Sequence, residues 1–436
     1  MKRSALLCGA LVVVAASTAQ AQLTMQMSNG WAFSFSGNVN AFFVYTHTTA
    51  CSGDLGVAAC GGLISPAVDK DAIRMTTGLL PAFATFEAKG KEGPVDLGVH
   101  FGFAPQIQNL NRLHDNFGNG TQAGAQIDMR QVYLTAGGTW GQILAGRELG
   151  VFLRQNILTD HTLFGVGLAP DPNSGGTSLG HIGTGYVYPN FVPQFTYSSP
   201  ATNPAQFTIG LFSPNRITGT STLYSATKVP RVEAEFTYTG RFGAAPAEGS
   251  AGGDKFMFWA NGMWQHTDTA QAAGAATDQR VGFGGIGGTT NSSVESYGLG
   301  GGVKVDVSGF TLTGSGYWGK AIGDVLLFNN AVDGAGNARD SYGFLGQVGY
   351  AFPNTKWSAI GSYGESDLKA TSEEQGGGSG AKTVNRSIVG DLTYQWTKSI
   401  RWVFEYTFGQ SKNNGTGGGS ESIKSHQGAV GMMLFF

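Results

Sequence analysis

In Arg231-Val-Glu-Ala-Glu235 a charged residue stands at every second position, with apolar residues between. Lys304 and Asp306 repeat that spacing, and Asp96 and His100 double it. Side chains two apart share a face only on an extended backbone, so each set turns acids and bases to one side. Rows of that kind hold ions and polar solutes by charge. Catalysis asks for more, because a general base must stand beside a nucleophile. Asp-His neighbours occur at His114-Asp115 and Asp160-His161, but adjacent residues of extended chain point apart, and no sequence feature names a nucleophile beside them. Gly282-Phe-Gly284-Gly-Ile-Gly287 has dinucleotide-loop spacing, yet it sits in a long glycine-rich stretch with no helix to present its amides. No P-loop, nucleophile elbow or two-cysteine zinc pattern occurs. The expectation is no enzyme, no cofactor and no metal, with a hydrolase built on the Asp-His pairs as the rival.

The elements that carry the charged rows are strands of strict alternation. From Trp31 to Tyr45 the apolar set is Trp31, Phe33, Phe35, Val39, Ala41, Phe43 and Tyr45, against Ser34, Ser36, Asn38 and Asn40. Val95, Leu97, Val99, Phe101 and Phe103 oppose Asp96 and His100; Val232, Ala234, Phe236 and Tyr238 oppose Arg231, Glu233 and Glu235. Near the end, Ile388, Leu392, Tyr394 and Trp396 oppose Asp391, while Trp402, Phe404, Tyr406 and Phe408 oppose Glu405. Period two of this quality reads as half-wet strand. Strands are expected at 31–45, 73–89, 95–104, 126–136, 142–147, 191–198, 206–213, 229–239, 255–266, 294–307, 310–320, 341–352, 356–366, 384–396, 400–410 and 422–436. Short turns such as Val307-Ser-Gly-Phe310 and Pro353-Asn-Thr-Lys356 alternate with long loops such as Asp268–Asn291 and Ser411–Ser420.

Composition decides where the apolar faces go. Of 436 residues 69 are Gly, 28 Phe, 14 Tyr and 8 Trp, while charged residues make up only 13%, about half the usual share for a soluble surface. A mean hydropathy of −0.07 excludes a series of apolar helices of roughly 20 residues. A soluble sandwich pairs its apolar faces inward and covers its outside with charge. Here the polar faces carry the Glu, Asp and Arg and the apolar faces end in aromatic rings. That combination fits an all-β transmembrane antiparallel barrel of about sixteen strands, with lipid outside and water inside, closed because lipid leaves no partner for an open edge.

Met1 to Ala21 starts with Lys2 and Arg3, continues through the apolar run Ala5–Ala16 and ends Ala19-Gln20-Ala21. This is the pattern of a secretory leader cleaved after Ala21, leaving residues 22–436 as one barrel domain. Cys8 leaves with it. Cys51 and Cys60 remain, and an even pair in an exported chain is expected to form a disulfide. The formal charge of −2, more acidic once Lys2 and Arg3 are gone, excludes the basic field of a nucleic-acid binder.

Asp128-Met-Arg-Gln-Val-Tyr-Leu-Thr-Ala-Gly-Gly-Thr-Trp-Gly-Gln-Ile-Leu-Ala-Gly-Arg-Glu148 resembles the general porin family of the Gram-negative outer membrane: an aromatic-bearing strand, a Gly-rich turn and a second strand ending in Gly-Arg. The last residues, Ala429 to Phe436, also resemble the terminal signal of outer-membrane barrels. The resemblance implies a homotrimer of 16-stranded barrels in the outer membrane, surrounded by lipid and lipopolysaccharide, with the long third loop, Glu148–Asn190, folded inward. It implies passive diffusion of small hydrophilic solutes and ions; an adhesin or structural barrel is the alternative. Expected lining residues are Asp96, His100, Arg231, Glu233, Glu235, Lys304, Asp306, Asp391, Arg401 and Glu405 from the strands, and Arg154 and Asp160 from the loop, which also holds His161, Asp171 and His181. Arg147 is placed in the lumen by its match to the family's Gly-Arg. Arg130 is a further candidate whose face stays open, since Val132 and Leu134 share it and a subunit contact fits equally.

Overall fold

The structure is a computed structural model that describes residues 23–27, 30–54, 60, 62–64, 70–108, 127–169, 177–217, 224–243, 254–269, 291–377 and 380–436. The leader, His114-Asp115, Asp171 and the Gly282–Gly287 stretch lie outside them.

Sixteen antiparallel strands close into one barrel. They are β1 (Ala32–Thr48), β2 (Asp71–Thr76, resuming at Phe83–Glu92), β3 (Val95–Pro105), β4 (Ile127–Gly138), β5 (Gly141–Leu149), β6 (Phe191–Ser198), β7 (Ala205–Phe212) and β8 (Arg231–Arg241). The second half is β9 (Lys255–Thr269), β10 (Ser293–Val307), β11 (Phe310–Lys320), β12 (Asp340–Ala351), β13 (Trp357–Lys369), β14 (Lys382–Gln395), β15 (Ile400–Asn414) and β16 (Ser420–Phe435). Each strand pairs with its neighbour in sequence, and β1 pairs with β16 from Asn38 opposite Phe435 to Thr48 opposite Ser425. The seam is tied by the last residue, whose N–H donates to Gly37 O and whose O accepts from Gly37 N–H.

The two faces separate as the alternation requires. On β15, Val403, Glu405 and Thr407 are buried, whereas Phe404 and Tyr406 are 41% and 52% exposed on the outside. Two-residue hairpins such as Val307 to Phe310 need positive φ at both central positions, and Ser308 and Gly309 adopt +49° and +84°. These short turns gather at one rim; the long connections gather at the other.

Two features differ from the sequence expectation. The strand expected at 73–89 is broken at residues 77–82, where Pro81 has no N–H to give a ladder. Asn side chains of β1 replace the missing bonds: Asn40 Nδ2 donates to Leu80 O (2.9 Å), Asn38 Nδ2 donates to Pro81 O (3.2 Å), and Asn40 Oδ1 accepts from Gly78 N–H (2.8 Å). The break turns Leu79 and Leu80 into the interior, where both are buried. Secondly, a short strand, Leu23–Gln26, pairs with the start of β1 where the expected ranges place none, although Leu23, Met25 and Met27 alternate with Thr24, Gln26 and Ser28.

The interior is not empty. Residues 150–169 and 177–190, between β5 and β6, and residues 321–339, between β11 and β12, lie on the polar side of the wall and share an apolar core that includes Phe152, Leu153, Ile157, Ile182, Tyr186, Ile322, Phe328 and Val332. The two segments join where Tyr188 N–H donates to Val325 O (2.9 Å) and Leu327 N–H donates to Tyr188 O (3.2 Å).

Val348 is 56% exposed on β12 between the outward rings of Tyr342 and Tyr350. A cation there enters the apolar band, where the cost reaches about 2–4 kcal/mol at the bilayer midplane and falls toward either rim. Val348→Arg should lower the urea midpoint for folding into lipid vesicles accordingly, and Thr237→Arg, on the half-buried inner face of β8, should not incur that lipid cost. Equal loss at both positions would contradict the assignment of faces.

Candidate functional site

The site grows from how residues 150–190 are held. Their backbone leaves β5 with few partners of its own, so the polar face of the wall supplies them. Val151 and Phe152 N–H donate to Glu233 Oε2 (2.6 and 2.8 Å), and Leu153 N–H donates to Asn261 Oδ1 (3.2 Å). A single helix, α1 (Arg154–Thr159), follows; Asn156 Oδ1 accepts from Trp259 Nε1 on β9 (3.1 Å). Beyond it, His161 N–H donates to Gln347 Oε1 on β12 (2.8 Å), and Val166 and Gly167 N–H donate to the two oxygens of Glu405 on β15 (2.9 and 2.7 Å). Ala169 N–H reaches Gln427 Oε1 on β16 (2.9 Å). The segment thus runs along the inner wall from β8 to β16, held by the carboxylates of Glu233 and Glu405 and by the neutral amide oxygens of Asn261, Gln347 and Gln427.

The opposite part of the lumen stays open. A cavity of about 760 Å³ lies between α1 and the inner face of β2 to β8, and turn residues Thr139 and Ser199–Thr202 at its edge show that it opens at the short-turn rim. Its charged lining is Glu87, Lys89, Lys91, Asp96, His100, Glu148, Arg154 and Glu235. Most of these charges are paired: Lys91 with Asp96 at 3.0 Å, Lys89 with Glu87 at 2.8 Å, and Arg154 Nη2 with Glu235 at 2.5 Å. His100 lies 3.1 Å from Glu87 and stacks on Tyr133, with ring centroids 4.6 Å apart.

The residues singled out from sequence therefore fall into three groups. Asp96, His100, Arg154 and Glu235 meet in the cavity. Arg231, Glu233, Asp160, Asp391, Arg401 and Glu405 face inward, but as anchors of the two interior segments. Arg231 is fully buried between the rings of Phe212 (5.6 Å) and Phe328 (5.5 Å), with Nη1 donating to Asn215 Oδ1 (2.8 Å). Arg401 covers the ring of Phe164 at 5.0 Å. Lys304 and Asp306 lie near the short-turn end of β10, where Asp306 takes Thr311 Oγ1 (2.7 Å) and faces Lys255 (3.8 Å), away from the cavity lining. The third group needs correction. Arg147 pairs across the ladder with Val132 and Pro193, so its neighbour Glu148 takes the inner face and Arg147 the outer one. Arg130 sits at a bulge opposite Gly102 and Phe103, tied to Asp128 (2.9 Å) with its guanidinium over Phe191 (5.6 Å). Glu87, Lys89, Lys91, Tyr133 and Glu148 were not singled out. Glu87 and Lys89 alternate with Phe86 and Ala88, the same period-two spacing as in Arg231–Glu235.

One cluster has the geometry of a nucleophilic triad. Asp391 Oδ2 is 2.6 Å from His161 Nδ1, and His161 Nε2 is 2.7 Å from Ser362 Oγ. The second imidazole changes its meaning: His181 Nε2 is also 2.7 Å from Ser362 Oγ, and His181 Nδ1 is 2.9 Å from Ser387 Oγ. Ser362 is only 8% exposed and is not among the cavity-lining residues. The chain of hydrogen bonds clamps the loop to β13 and β14 and leaves no open approach to the hydroxyl. Asp160, His161 and His181 also bring ligand atoms within 4.8 Å of one another. Asp160, however, already accepts from Thr162 N–H (3.0 Å), Thr162 Oγ1 (2.7 Å), His181 N–H (3.2 Å) and Tyr186 OH (2.7 Å), so its lone pairs are engaged. At the long-loop rim Cys51 and Cys60 form the expected disulfide, and Ile64 N–H beside it donates to Ser411 Oγ (2.9 Å).

Residues 8–415 match the family model for Gram-negative porins. No curated protein matches the sequence. Among solved structures, the outer membrane channel DcaP of Acinetobacter baumannii is similar at 15% identity and TM-score 0.60, with 94% of this chain and 99% of that one covered. The anion-selective porin from Comamonas acidovorans is similar at 11% identity and TM-score 0.55 (93% and 100% covered). OmpF of Salmonella typhi, in complex with daunomycin, is similar at 16% identity and TM-score 0.51 (95% and 100% covered). At these identities the likeness is one of fold.

Burial pushes the His181 imidazole from its ordinary 6.5 down to about 4. A released loop therefore binds a proton below pH 6.5 that the packed loop refuses until about pH 4. The packed arrangement loses stability as pH falls through that window, by about 3 kcal/mol. Hydrogen exchange of residues 179–188 should accelerate between pH 6.5 and 4 beyond the intrinsic pH effect, and His181→Gln should reduce the acceleration, leaving the share due to His161, which burial also shifts down. A pH-independent protection factor in the native chain would contradict it.

Proposed function

Because the chain belongs to the Gram-negative porin family and is thereby an outer-membrane channel for passive diffusion of small hydrophilic solutes, we propose that solutes cross through the half of the lumen left open between α1 and the wall from β2 to β8. The observation that carries this reading is the 760 Å³ cavity, with charge on both its sides. Glu87, Asp96 and Glu148 come from the wall, and Arg154 comes from the loop opposite. Opposed charges across a narrow aqueous gap orient dipolar solutes and discriminate weakly between ions. The paired state of most of these groups agrees with mild selectivity.

Three finer points belong to the same reading. The barrel acts as a homotrimer in lipopolysaccharide-bearing membrane, its leader is removed after Ala21, and the interior loop sets the narrowest passage. A catalytic role has no supporting observation, since Asp160 and His161 are taken up in anchoring the loop. The adhesin reading lacks one too: the cavity is a feature that a purely structural barrel does not need.

Purified protein in a planar bilayer should give stepwise conductance increments, and persistent silence from folded protein would refute the channel. Arg154→Gln removes one positive charge from the cavity and leaves Glu235 unpaired. The zero-current potential under a salt gradient should then shift toward cations. An unchanged potential would show that ions pass elsewhere.

A further inference from the structure

One cross-strand row of the inner wall has an apolar middle, hydroxyl flanks and bare ends. It runs Gly98 on β3, Thr135 on β4, Leu144 on β5, Thr196 on β6 and Gly210 on β7. A Cβ at Gly98 would lie 2.5 Å from Thr135 Oγ1, and one at Gly210 would lie 2.4 Å from Thr196 Cγ2. Only glycine at either end leaves the two threonines their places. Two strand steps part Thr135 from Thr196, about 9–10 Å, room for one six-membered ring hydrogen-bonded at either edge. From the loop side Leu158, one helical turn beyond Arg154 on α1, lines the same cavity, and Thr237 of β8 brings a third hydroxyl. Among the described residues the side chains of Thr135, Thr196 and Thr237 have no hydrogen-bond partner, and none of the three hydroxyls is sealed from solvent.

The charges around the row are already answered. Lys89 holds Glu87, Lys91 holds Asp96 and Arg154 holds Glu235, while Glu148 accepts from Gln131 Nε2 and from Leu149 N–H, both at 2.8 Å. An ion in the cavity must compete with these partners. A solute with hydroxyls at its edge and C–H groups on its faces meets open hydroxyls and two leucines instead. A wholly apolar guest would strip water from three hydroxyls and return nothing. We propose that the cavity holds a saturable binding site for a neutral polyhydroxylated solute of one or two sugar rings, its ring face against Leu144 and Leu158 and its hydroxyls on Thr135, Thr196 and Thr237. The cavity's 760 Å³ lies within the roughly 300–1,000 Å³ of small-molecule sites. This site deepens the reading of the cavity as the passage, and rests on it.

The test uses the full chain in a detergent without a sugar headgroup, with binding followed by saturation-transfer NMR of the solute. The probes are glucose, gluconate and glucosamine, which are alike in size and differ in charge. Glucose binding should saturate, and the two charged analogues should bind about tenfold more weakly. Affinity for glucose should hold within about twofold between roughly 0.1 and 1 M salt, because no ion pair forms. Thr135→Val with Thr196→Val, which keep the shape and remove two hydroxyls, should weaken glucose about tenfold. Thr135→Ser with Thr196→Ser should retain it. Binding that does not saturate, equal affinity for the three solutes, or undiminished affinity in a folded valine pair would overturn the site. If the valine pair fails to fold, the charge preference of the native chain and the serine pair still decide. Stepwise conductance without saturable glucose binding would remove the site and leave conduction standing, whereas saturable binding to a silent channel would count against conduction alone.

Discussion

In hydrocarbon an unpaired backbone amide has no water to turn to, and the whole architecture follows from that deficit. A sheet in lipid must meet its own other edge, and here β1 and β16 meet along eleven residue pairs, from Asn38–Phe435 to Thr48–Ser425. Closure then fixes which side is wet. One face of every strand is given to lipid, the other to the lumen, and the apolar outer positions of β15 are left without protein cover. Even the break in β2 respects the constraint, because side-chain amides of Asn38 and Asn40 take over the bonds that Pro81 cannot make.

Inside, the same requirement recurs at smaller scale. The described residues of the segment, 150–169 and 177–190, have little secondary structure to satisfy their own amides, and acids and amides of the wall supply acceptors instead. Glu233 and Glu405 each hold two loop amides. A charge used in this way is no longer offered to passing ions at full strength, because oriented N–H groups already neutralise part of it. The lumen's formal charge thus overstates its field, and what a solute meets is the smaller set around the cavity.

The wall was legible in the sequence because period two is a local signal. Trp402, Phe404, Tyr406 and Phe408 against Glu405 announce their faces with no knowledge of the rest of the chain, and each of the sixteen expected ranges overlaps a barrel strand. The interior was legible only as residue types. Nothing local tells that Asp391 meets an imidazole 230 residues away, or that Glu405 serves Gly167 rather than water. Arg147 shows the limit of parity: neighbours on a strand must part, and the ladder gave the inner face to Glu148. The second interior segment, 321–339, holds the apolar run Val325-Leu-Leu-Phe328 without alternation; Leu327 and Phe328 enter the shared core while Leu326 stays exposed, a division no local period announces.

Most of the load-sharing inside the barrel lies on one half. Hydrogen bonds from the interior segment reach β8, β9, β12, β13, β14, β15 and β16, like spokes from an off-centre hub, whereas the stretch from β3 to β7 faces mainly the open cavity. The passage is thus bounded on one side by the braced interior segment and on the other by a wall that stands on its own ladder of hydrogen bonds alone.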